Sequence, residues 1–508
     1  MKIKKIINVN DVAKIVAKEK SKNKKIVHCH GVFDFFHLGH LKYFKSAKSY
    51  GDILIVSLTS DKFVSKGFNR PFYKLSQRAE LLSSIDLIDL IVVSDSQNGE
   101  KIIEKIKPDF YVKGPDYKNN KKDITGNIYK EINMVKKFGG KIIYTSDETL
   151  SSSNLLNDNF NNLNEKQKKH QSFLKKKYSF GQIKNAIDKI SSIKVNAIGE
   201  TIIDEYVFSE SIGKSGKEPH LVIRDLREEI YPGGIVAIAK HIESFTSNLE
   251  IISILGDRKK DLKFIKKFLK KNTKFDFILK SNSPTIRKKR FIDNLTNHKL
   301  LGLYSINDRE LSLSETKKLN EKLFKKNNKN NLTIVSDYGH GFISPLIAKK
   351  ICSNFKNVFL NAQLNAANIG FHTLKNYNNF NSLIINESEL RHEFKDRYSS
   401  VKILIKKLSK VLKVQNILVT RGANGALCYK VKSDVFYEVP AYATKIIDKV
   451  GAGDTLLAIF SLCLFSKIPI DLSLFIASFA AATVVESMGN SKAVDKKLLL
   501  KNIEYFLK

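Results

Sequence analysis

Short apolar segments alternate with helical segments from Lys25 to about Leu156, and this alternation constrains the fold more than any other feature of the sequence. A strand followed by a helix and then by another strand requires a crossover, so the strands run parallel and helices cover the sheet. The pattern therefore predicts an α/β fold with a doubly wound parallel sheet. The predicted strands are KIVHCHGVF, DILIVSLTS, LIDLIVVS, DFYVKG and GKIIYTS.

A second α/β pattern begins near Val195 with VNAIGETIIDEYVF and continues to the last residue. The segment NDNFNNLNEKQKKHQSFLKKK between the two patterns is polar and lacks apolar periodicity, which is typical of a linker or an exposed helix. A chain of 508 residues is also too long for one ordinary core. We therefore predict a first domain over 1–157, a linker over 158–192 and a second domain over 193–508.

The formal charge of +36 would ordinarily suggest a nucleic-acid or anionic membrane partner. Here the lysines are spread along the whole chain and no nucleic-acid recognition motif is present, so we predict neither partner. No segment has the apolar run of a signal peptide or a membrane span. We expect a cytoplasmic protein, whose four unpaired cysteines are small core residues: Cys29, Cys352, Cys428 and Cys463.

The stretch GVFDFFHLGH places His37 and His40 at a predicted strand-to-helix turn. Two histidines at i and i+3 in the first turn of a helix lie on one face, where both imidazoles can hydrogen-bond phosphates. Gly39 between them leaves room for a nucleotide to approach the backbone. A metal site is the alternative, but no third ligand follows at a suitable spacing.

A second loop that leads into an apolar helix is IIDKVGAGDTLLAIFSLCLF. Gly451, Ala452 and Gly453 are small residues whose N–H groups can point at one anion. Asp454 then falls at the start of the helix, where its carboxylate can accept a proton from an attacking hydroxyl. The alternative interpretation is that Asp454 simply caps the helix.

Residues 25–156 resemble the HxGH nucleotidylyltransferases, and specifically their cytidylyltransferase-like branch with its Rossmann-like fold. The matching segments are GVFDFFHLGH, Lys66-Gly67, Arg70-Pro71, SQR ending in Arg78, VKGPDY at 112–117 and LSSS at 150–153. The resemblance implies that Asp34, His37 and His40 are catalytic, with Asp34 orienting a histidine or helping to hold Mg²⁺. It also implies that Lys66 and Arg78 hold the triphosphate, while the nucleotide is framed by Gly114, Asp116, Ser151, Ser152 and Ser153.

Residues 193–500 resemble the ribokinase-like carbohydrate kinases through GETIIDEY, PGG at 232–234, SDYGHG, NESE, LVTRGANGA and GAGDT. The resemblance implies that Asp454 is the general base and that Gly451, Ala452 and Gly453 form the anion hole. It implies a sugar site that contains Asp204, Gly233, Gly234 and Arg290. It further implies an ATP site with Thr420, Gly422 and Gly425, and a Mg²⁺ site organised by Asn386 and Glu389.

Four departures from the kinase pattern surround the predicted sugar pocket. Ala237 stands where the family usually has a sugar-binding Asn, and Glu200 stands where a shorter acid is usual. Lys449 replaces a small residue, and LNAQLNAANIGFHTLKNY replaces an Asp-Pro-Lys stretch. Either the substrate differs from heptose or this half binds a sugar phosphate without phosphorylating it.

Together the two resemblances imply a bifunctional enzyme, similar to heptose phosphate kinase/adenylyltransferases but with the domain order reversed. Such an enzyme is a sugar kinase and a sugar-phosphate nucleotidylyltransferase that makes an activated, ADP-heptose-like nucleotide sugar for surface polysaccharide or lipopolysaccharide. The alternative is an active nucleotidylyltransferase with a non-catalytic, sugar-phosphate-binding second half. The implied cofactors are Mg²⁺ and ATP, with CTP also open for the first half, and a homodimer is compatible with the resemblance.

Overall fold

The structure is a computed structural model that describes residues 5–64, 70–96, 98–117, 127–145, 163–325, 330–365, 367–443 and 446–507. The chain divides into two compact units. Unit 1 comprises residues 1–164 together with 497–508, and unit 2 comprises residues 165–496.

The described part of unit 1 contains a parallel sheet in the order β1-β4-β3-β2-β5-β6. Its strands are β1 (Ile6–Ile7), β2 (Ile26–Gly31), β3 (Ile53–Thr59), β4 (Leu90–Ser94), β5 (Phe110–Lys113) and β6 (Lys141–Tyr144). The helices are α1 (Val12–Lys20), α2 (Leu38–Lys48), α3 (Leu75–Ser83), α4 (Glu100–Ile106) and α5 (Asn127–Lys137). The predicted doubly wound sheet is therefore confirmed, and all five predicted strands are present.

Strand β2 lies where the strand order of unit 1 reverses, because the chain continues to β3 on one side and β5 pairs on the other. Its side chains alternate between the two faces of the sheet. Ile26 packs with Ile55 in one apolar cluster, whereas Val27 packs with Leu54 in another. Helices thus cover both faces, and the carboxyl end of β2 opens at the switch point where ligands of such sheets bind.

The described part of unit 2 contains a large sheet in the order β11-β10-β7-β14-β15-β16-β17-β18-β19. These strands are β7 (Lys194–Gly199), β10 (Asn248–Leu255), β11 (Lys274–Leu279), β14 (Leu332–Asp337), β15 (Val358–Ala362), β16 (Ser382–Asn386), β17 (Asn416–Thr420), β18 (Ala426–Lys430) and β19 (Val435–Val439). All pairs are parallel except β17 with β18 and β18 with β19. The sheet therefore brings the carboxyl ends of most strands to one edge.

A second sheet of unit 2 has the order β13-β12-β8-β9. Its strands are β8 (Thr201–Lys214), β9 (Leu221–Gly234), β12 (Ile286–Asp293) and β13 (Lys299–Ser305). The long β8 and β9 form an antiparallel pair, and β12 runs parallel to β8. This register sets Asp204 beside Lys288 and Tyr206 beside Arg290.

The helices of unit 2 begin with two that lie within the predicted linker, α6 (Glu165–Lys177) and α7 (Phe180–Asp188). The following helices are α8 (Ile235–Ile242), α9 (Lys259–Phe268), α10 (Leu313–Lys325), α11 (Pro345–Asn354), α12 (Glu387–Phe394), α13 (Val401–Leu412), α14 (Ala452–Phe465) and α15 (Ile470–Val484). The apolar helices α14 and α15 are almost entirely buried, which explains their uniform hydrophobicity.

The last helix, α16 (Lys496–Leu507), belongs to unit 1 from Lys497 onward. Among the helices in the described ranges, none is both long enough and apolar enough to cross a membrane. The four cysteines are free; Cys29, Cys428 and Cys463 are buried and Cys352 is partly buried.

Candidate functional site

The first candidate site is the turn between β2 and α2. His37 is the N-cap of α2, and its Nδ1 accepts a hydrogen bond from Gly39 N–H at 3.0 Å. The rings of His37 and His40 are stacked with centroids 4.0 Å apart. The prediction that both imidazoles lie on one face of the first helical turn is therefore confirmed.

The backbone before this helix adopts a conformation that L-residues seldom use. Phe33 has φ of 47° and Phe35 has φ of 50°, on either side of Asp34. Such left-handed residues persist where the surroundings hold them, commonly at functional turns. Here the ring of Phe33 packs against Phe44 and His40, so packing within unit 1 holds the turn.

Asp34 is buried and anchors the segment that follows Arg70-Pro71. Its carboxylate accepts hydrogen bonds from Phe72 N–H at 2.7 Å and Tyr73 N–H at 3.0 Å. Arg70 Nη1 lies 3.7 Å from the same carboxylate. The predicted role of Asp34 in orienting a histidine is not seen in these contacts, because its oxygens serve a neighbouring loop.

Arg78 is 2% exposed and its guanidinium binds other parts of the protein. It donates to the carbonyl oxygens of Tyr73, Val32 and Thr59 and to Asp61 Oδ1. A guanidinium that is buried and engaged in this way fixes the ends of β2 and β3. This geometry argues for a structural role of Arg78 and against the predicted triphosphate contact.

The remaining predicted nucleotide residues of unit 1 are only partly described. Gly114 follows β5, and no described atom lies within 4 Å of the place where its Cβ would stand, while Asp116 falls in the short turn Pro115–Tyr117. Lys66 and the three serines Ser151, Ser152 and Ser153 lie outside the described residues.

The second candidate site is the N-terminus of α14 in unit 2. Gly451 is the N-cap with φ of 86°, and no heavy atom of the described residues lies within 4 Å of a Cβ built on Gly453. Ala452 N–H contacts Lys449 O at 3.5 Å, a distance at the limit of a hydrogen bond. The predicted glycine turn therefore exists and leaves space at the start of the helix.

Asp454 lies in the first turn of α14 and accepts a hydrogen bond from Tyr338 Oη at 2.9 Å. Burial raises the pKa of Asp454 to about 6, and the nearby charge of Asp204 acts in the same direction. The N-cap position of this helix is occupied by Gly451, and Asp454 stands inside the first turn. The carboxylate is thus partly buried and held by a tyrosine, and Asp454 does not occupy the N-cap position that a simple cap would need.

Asp204 and Arg290 form a buried ion pair, with Arg290 Nη1 2.6 Å from Asp204 Oδ1. Asn490 Nδ2 donates to the other carboxylate oxygen at 3.1 Å. A Cβ on Gly233 would lie 2.2 Å from that oxygen, so glycine is required here, and the adjacent Gly234 has φ of 60°. The structure therefore brings the predicted sugar-site residues together.

Lys288 is a cation that the sequence prediction missed. It is 6% exposed, and its ammonium has no hydrogen bond or ion pair within the described ranges, although it lies over the ring of Tyr338 at 5.8 Å. Burial lowers its pKa, while the charges of Asp204 and Asp454 oppose that shift. The signal was available, because Lys288 and Arg290 are two residues apart on one face of a strand.

Asn386 and Glu389 form a capping box at the start of α12. Glu389 N–H donates to Asn386 Oδ1, and Asn386 N–H donates to Glu389 Oε2, both at 2.8 Å. Burial raises the pKa of Glu389 to about 7. The pair fits a role in holding waters around Mg²⁺ better than direct coordination, because one oxygen of each side chain already caps the helix.

Thr420 ends β17, and the predicted ATP-site glycines follow in the turn to β18. Gly422 and Gly425 have φ of 54° and 79°. A Cβ on Gly425 would lie 2.0 Å from Val439 O, so the fold by itself already requires glycine at this position.

Glu200 explains one departure from the kinase pattern. Its carboxylate accepts hydrogen bonds from Tyr338 N–H at 3.0 Å and His340 N–H at 3.2 Å. Burial and the neighbouring Asp337 carboxylate raise the pKa of Glu200. The longer acid therefore fixes the loop that carries Tyr338, and Tyr338 in turn binds Asp454.

Comparison with known proteins matches a family model to each of the two parts of the chain. Residues 28–160 match the cytidylyltransferase-like family, and residues 192–497 match the pfkB family of carbohydrate kinases. The second structural unit and the second match cover nearly the same part of the chain.

Curated relatives match the N-terminal part of the chain. The bifunctional protein HldE of Geobacter metallireducens is 38% identical over 155 residues, which is 30% of this chain and 30% of that protein. HldE of Aliarcobacter butzleri is 40% identical over 134 residues, covering 26% and 28% respectively. The alignments thus span less than a third of the length of these relatives.

A solved structure similar to the C-terminal part is phosphofructokinase-2 from Escherichia coli in complex with potassium. It is 14% identical with a TM-score of 0.50, over 62% of this chain and 98% of that one. At this identity the likeness shows the fold alone, and it agrees with the predicted ribokinase-like α/β architecture.

Proposed function

Because the chain belongs to the pfkB family of carbohydrate kinases, we propose that unit 2 phosphorylates a sugar and that unit 1 joins a nucleotide to the resulting sugar phosphate. The product would be an activated nucleotide sugar of the ADP-heptose type, for surface polysaccharide or lipopolysaccharide. The HldE relatives, which are named as bifunctional proteins, support this pairing of activities.

The observation that carries the kinase proposal is the partly buried Asp454 at the glycine turn, held by Tyr338 at 2.9 Å. In the proposed step a sugar hydroxyl attacks the γ-phosphorus of ATP, the bond to ADP breaks, and Asp454 takes the hydroxyl proton. The N–H groups at Gly451, Ala452 and Gly453 would stabilise the transferred phosphoryl group. Mg²⁺, when bound, would neutralise charge on the phosphates; Asn386 and Glu389 would hold its waters.

In unit 1 we propose that an oxygen of the sugar phosphate attacks the α-phosphorus of a nucleoside triphosphate, and pyrophosphate leaves. His37 and His40 would donate hydrogen bonds to the phosphates as negative charge develops. ATP is the favoured nucleotide over CTP because TSDETLSSS lacks the arginine that the glycerol-phosphate cytidylyltransferases carry before their serine cluster.

A second candidate function keeps the nucleotidyl transfer and makes unit 2 a sugar-phosphate-binding module without catalysis. The apolar Ala237 in the predicted sugar pocket favours this alternative. Asp454→Asn separates the two functions, because it should abolish ATP-dependent sugar phosphorylation under the first and change nothing under the second.

The direct test is mass spectrometry of products after incubation with ATP or CTP and a panel of sugars and sugar phosphates. We expect a sugar phosphate with ATP, and a nucleotide sugar with release of pyrophosphate. Absence of both products across the panel would refute the proposal, and the preferred triphosphate identifies the nucleotide.

A further inference from the structure

Asn490 Oδ1 and Tyr206 Oη are two of the buried polar atoms in unit 2 that have no hydrogen-bond partner within the described residues. Asn490 is 4% exposed and Tyr206 is fully buried. A buried carbonyl or hydroxyl without a partner destabilises the folded state, because water satisfies the same atom in the unfolded chain. Such atoms in a native fold indicate that a ligand or an ordered water completes them.

Both atoms lie at the candidate kinase site. Asn490 Nδ2 donates to Asp204 at 3.1 Å, and Tyr206 is two residues along β8 on the same face as Asp204. A Cβ built on Gly451 would lie 2.6 Å from Asn490 Oδ1. The amide of Asn490 therefore bridges Asp204 and the first residue of the glycine turn.

The ring of Tyr206 packs with Phe208 and Ile292 in an apolar cluster, and charged and polar groups also approach it. The guanidinium of Arg290 lies 5.4 Å from the centre of its ring. A Cβ on Gly489 would lie 2.5 Å from Tyr206 Oη, so the residue before Asn490 must be glycine for the hydroxyl to fit. Four polar side chains thus converge from β8, β12 and the segment after α15: Asp204, Tyr206, Arg290 and Asn490.

We propose that Asn490 Oδ1 and Tyr206 Oη bind hydroxyl groups of the sugar substrate, and that Asn490 is a specificity-determining residue of the kinase site. This inference rests on the proposed kinase function. A sugar hydroxyl can donate to an amide carbonyl, and it can donate to or accept from a phenol. A polyol matches these atoms, whereas an analogue that lacks the contacted hydroxyl leaves them unpaired and is rejected.

The first measurement separates this inference from the proposed function. Wild-type protein is tested with ribose, fructose 6-phosphate, mannose 6-phosphate and sedoheptulose 7-phosphate, by thermal shift and by ATP-dependent phosphorylation. Binding without phosphorylation supports the non-catalytic alternative. The proposed sugar contacts can then still be tested through the Kd of the sugar. If no sugar binds, the proposed kinase function fails and the inference fails with it.

Tyr206→Phe gives the sharpest test, because it removes only the unpartnered hydroxyl. We expect an unchanged or raised melting temperature, a rise of about 10-fold in KM or Kd for the sugar, and an unchanged KM for ATP. Tyr442→Phe is the matched control, because that hydroxyl lies 2.6 Å from His170 Nδ1. It should lower the melting temperature and leave sugar affinity unchanged. A lower melting temperature together with an unchanged sugar affinity in Tyr206→Phe would overturn the inference.

Asn490→Ala should raise KM or Kd for the sugar about 10-fold to 100-fold. One monodeoxy derivative of that sugar should bind the variant and the wild type equally, since the contacted hydroxyl is already missing. If Asn490→Ala weakened the binding of every monodeoxy derivative by the same factor, Asn490 would act only through Asp204. If ordered water, and not the sugar, completes these two atoms, the sugar affinity of both variants should be unchanged. Either result would refute the inference, and Tyr206→Phe decides alone if Asn490→Ala does not fold.

Discussion

His37 combines two roles in one side chain. Its Nδ1 caps α2 by accepting from Gly39 N–H, while its ring stacks on His40 at the proposed phosphate site. Any short side chain with a hydrogen-bond acceptor can supply the cap, but such a side chain cannot replace an imidazole that stabilises charge. The two roles are therefore separable by substitution.

We expect His37→Asn to keep the helix cap and lose nucleotidyl transfer by about 10²-fold to 10³-fold. His37→Ala should lose the same activity and also destabilise the protein by about 1 kcal/mol, because the cap is gone. Pyrophosphate release and denaturant unfolding measure the two effects. Full nucleotidyl transfer activity of His37→Asn would show that His37 takes no part in the proposed reaction.

Tyr338 tunes the pKa of Asp454, the proposed base of the kinase site. Its hydrogen bond lowers the pKa of Asp454, against the burial that raises this pKa to about 6. The carboxylate form accepts the proton, so kcat should fall as the pH drops through about 6. In Tyr338→Phe the pKa of Asp454 rises, and the acidic limb of the pH profile should move to higher pH. Tyr398→Phe, at an exposed tyrosine, is the control and should leave the limb in place.

At the scale of elements, buried polar side chains join loops to strand ends in unit 1. Arg78 on α3 reaches the carbonyl oxygens of Val32 and Thr59 at the ends of β2 and β3. Loss of such a side chain leaves buried carbonyls without donors. The carboxyl edge of the sheet thus depends on one helix residue.

Arg78→Ala should therefore destabilise unit 1 by about 3 kcal/mol in denaturant unfolding. Arg224→Ala, which removes an exposed pair with Glu210, is the matched control and should cost less than about 1 kcal/mol. If Arg78→Ala instead left stability unchanged and raised KM for the triphosphate, the role implied by the sequence resemblance would be correct.

The capping box of α12 allows a similar separation in unit 2. Asn386→Asp retains a side-chain acceptor for Glu389 N–H, so stability should change by less than about 0.5 kcal/mol, whereas Asn386→Ala should cost about 1 kcal/mol. Both variants change the group proposed to hold waters around Mg²⁺. We expect the Mg²⁺ concentration for half-maximal kinase rate to shift in both, and an unchanged value would limit Asn386 to capping.

At the scale of the whole molecule, local sequence patterns predicted individual strands and turns better than the contacts between distant positions of the chain. Short apolar runs and glycine turns located β2 to β6 and the start of α14, because these signals depend on neighbouring residues. The contact between Asn490 and Asp204 spans 286 positions, and no periodicity encodes it.

Each unit holds its own group of candidate catalytic residues, so the two activities should be separable in one chain. Asp454→Asn should abolish sugar phosphorylation and retain nucleotidyl transfer, and His40→Asn should do the opposite. An equimolar mixture of the two variants should make the nucleotide sugar from sugar and ATP, as measured by mass spectrometry. Failure of the mixture, with each variant retaining one activity, would show that the intermediate is not released.

The assignment of α16 to unit 1 affects how the chain can be dissected. Residues 165–496 can be excised as one continuous fragment, whereas the remainder would be left in two pieces. A truncation after residue 164 discards Ile503, which is fully buried in the intact protein. Isolated nucleotidylyltransferase fragments should therefore carry residues 497–508 in trans or by fusion.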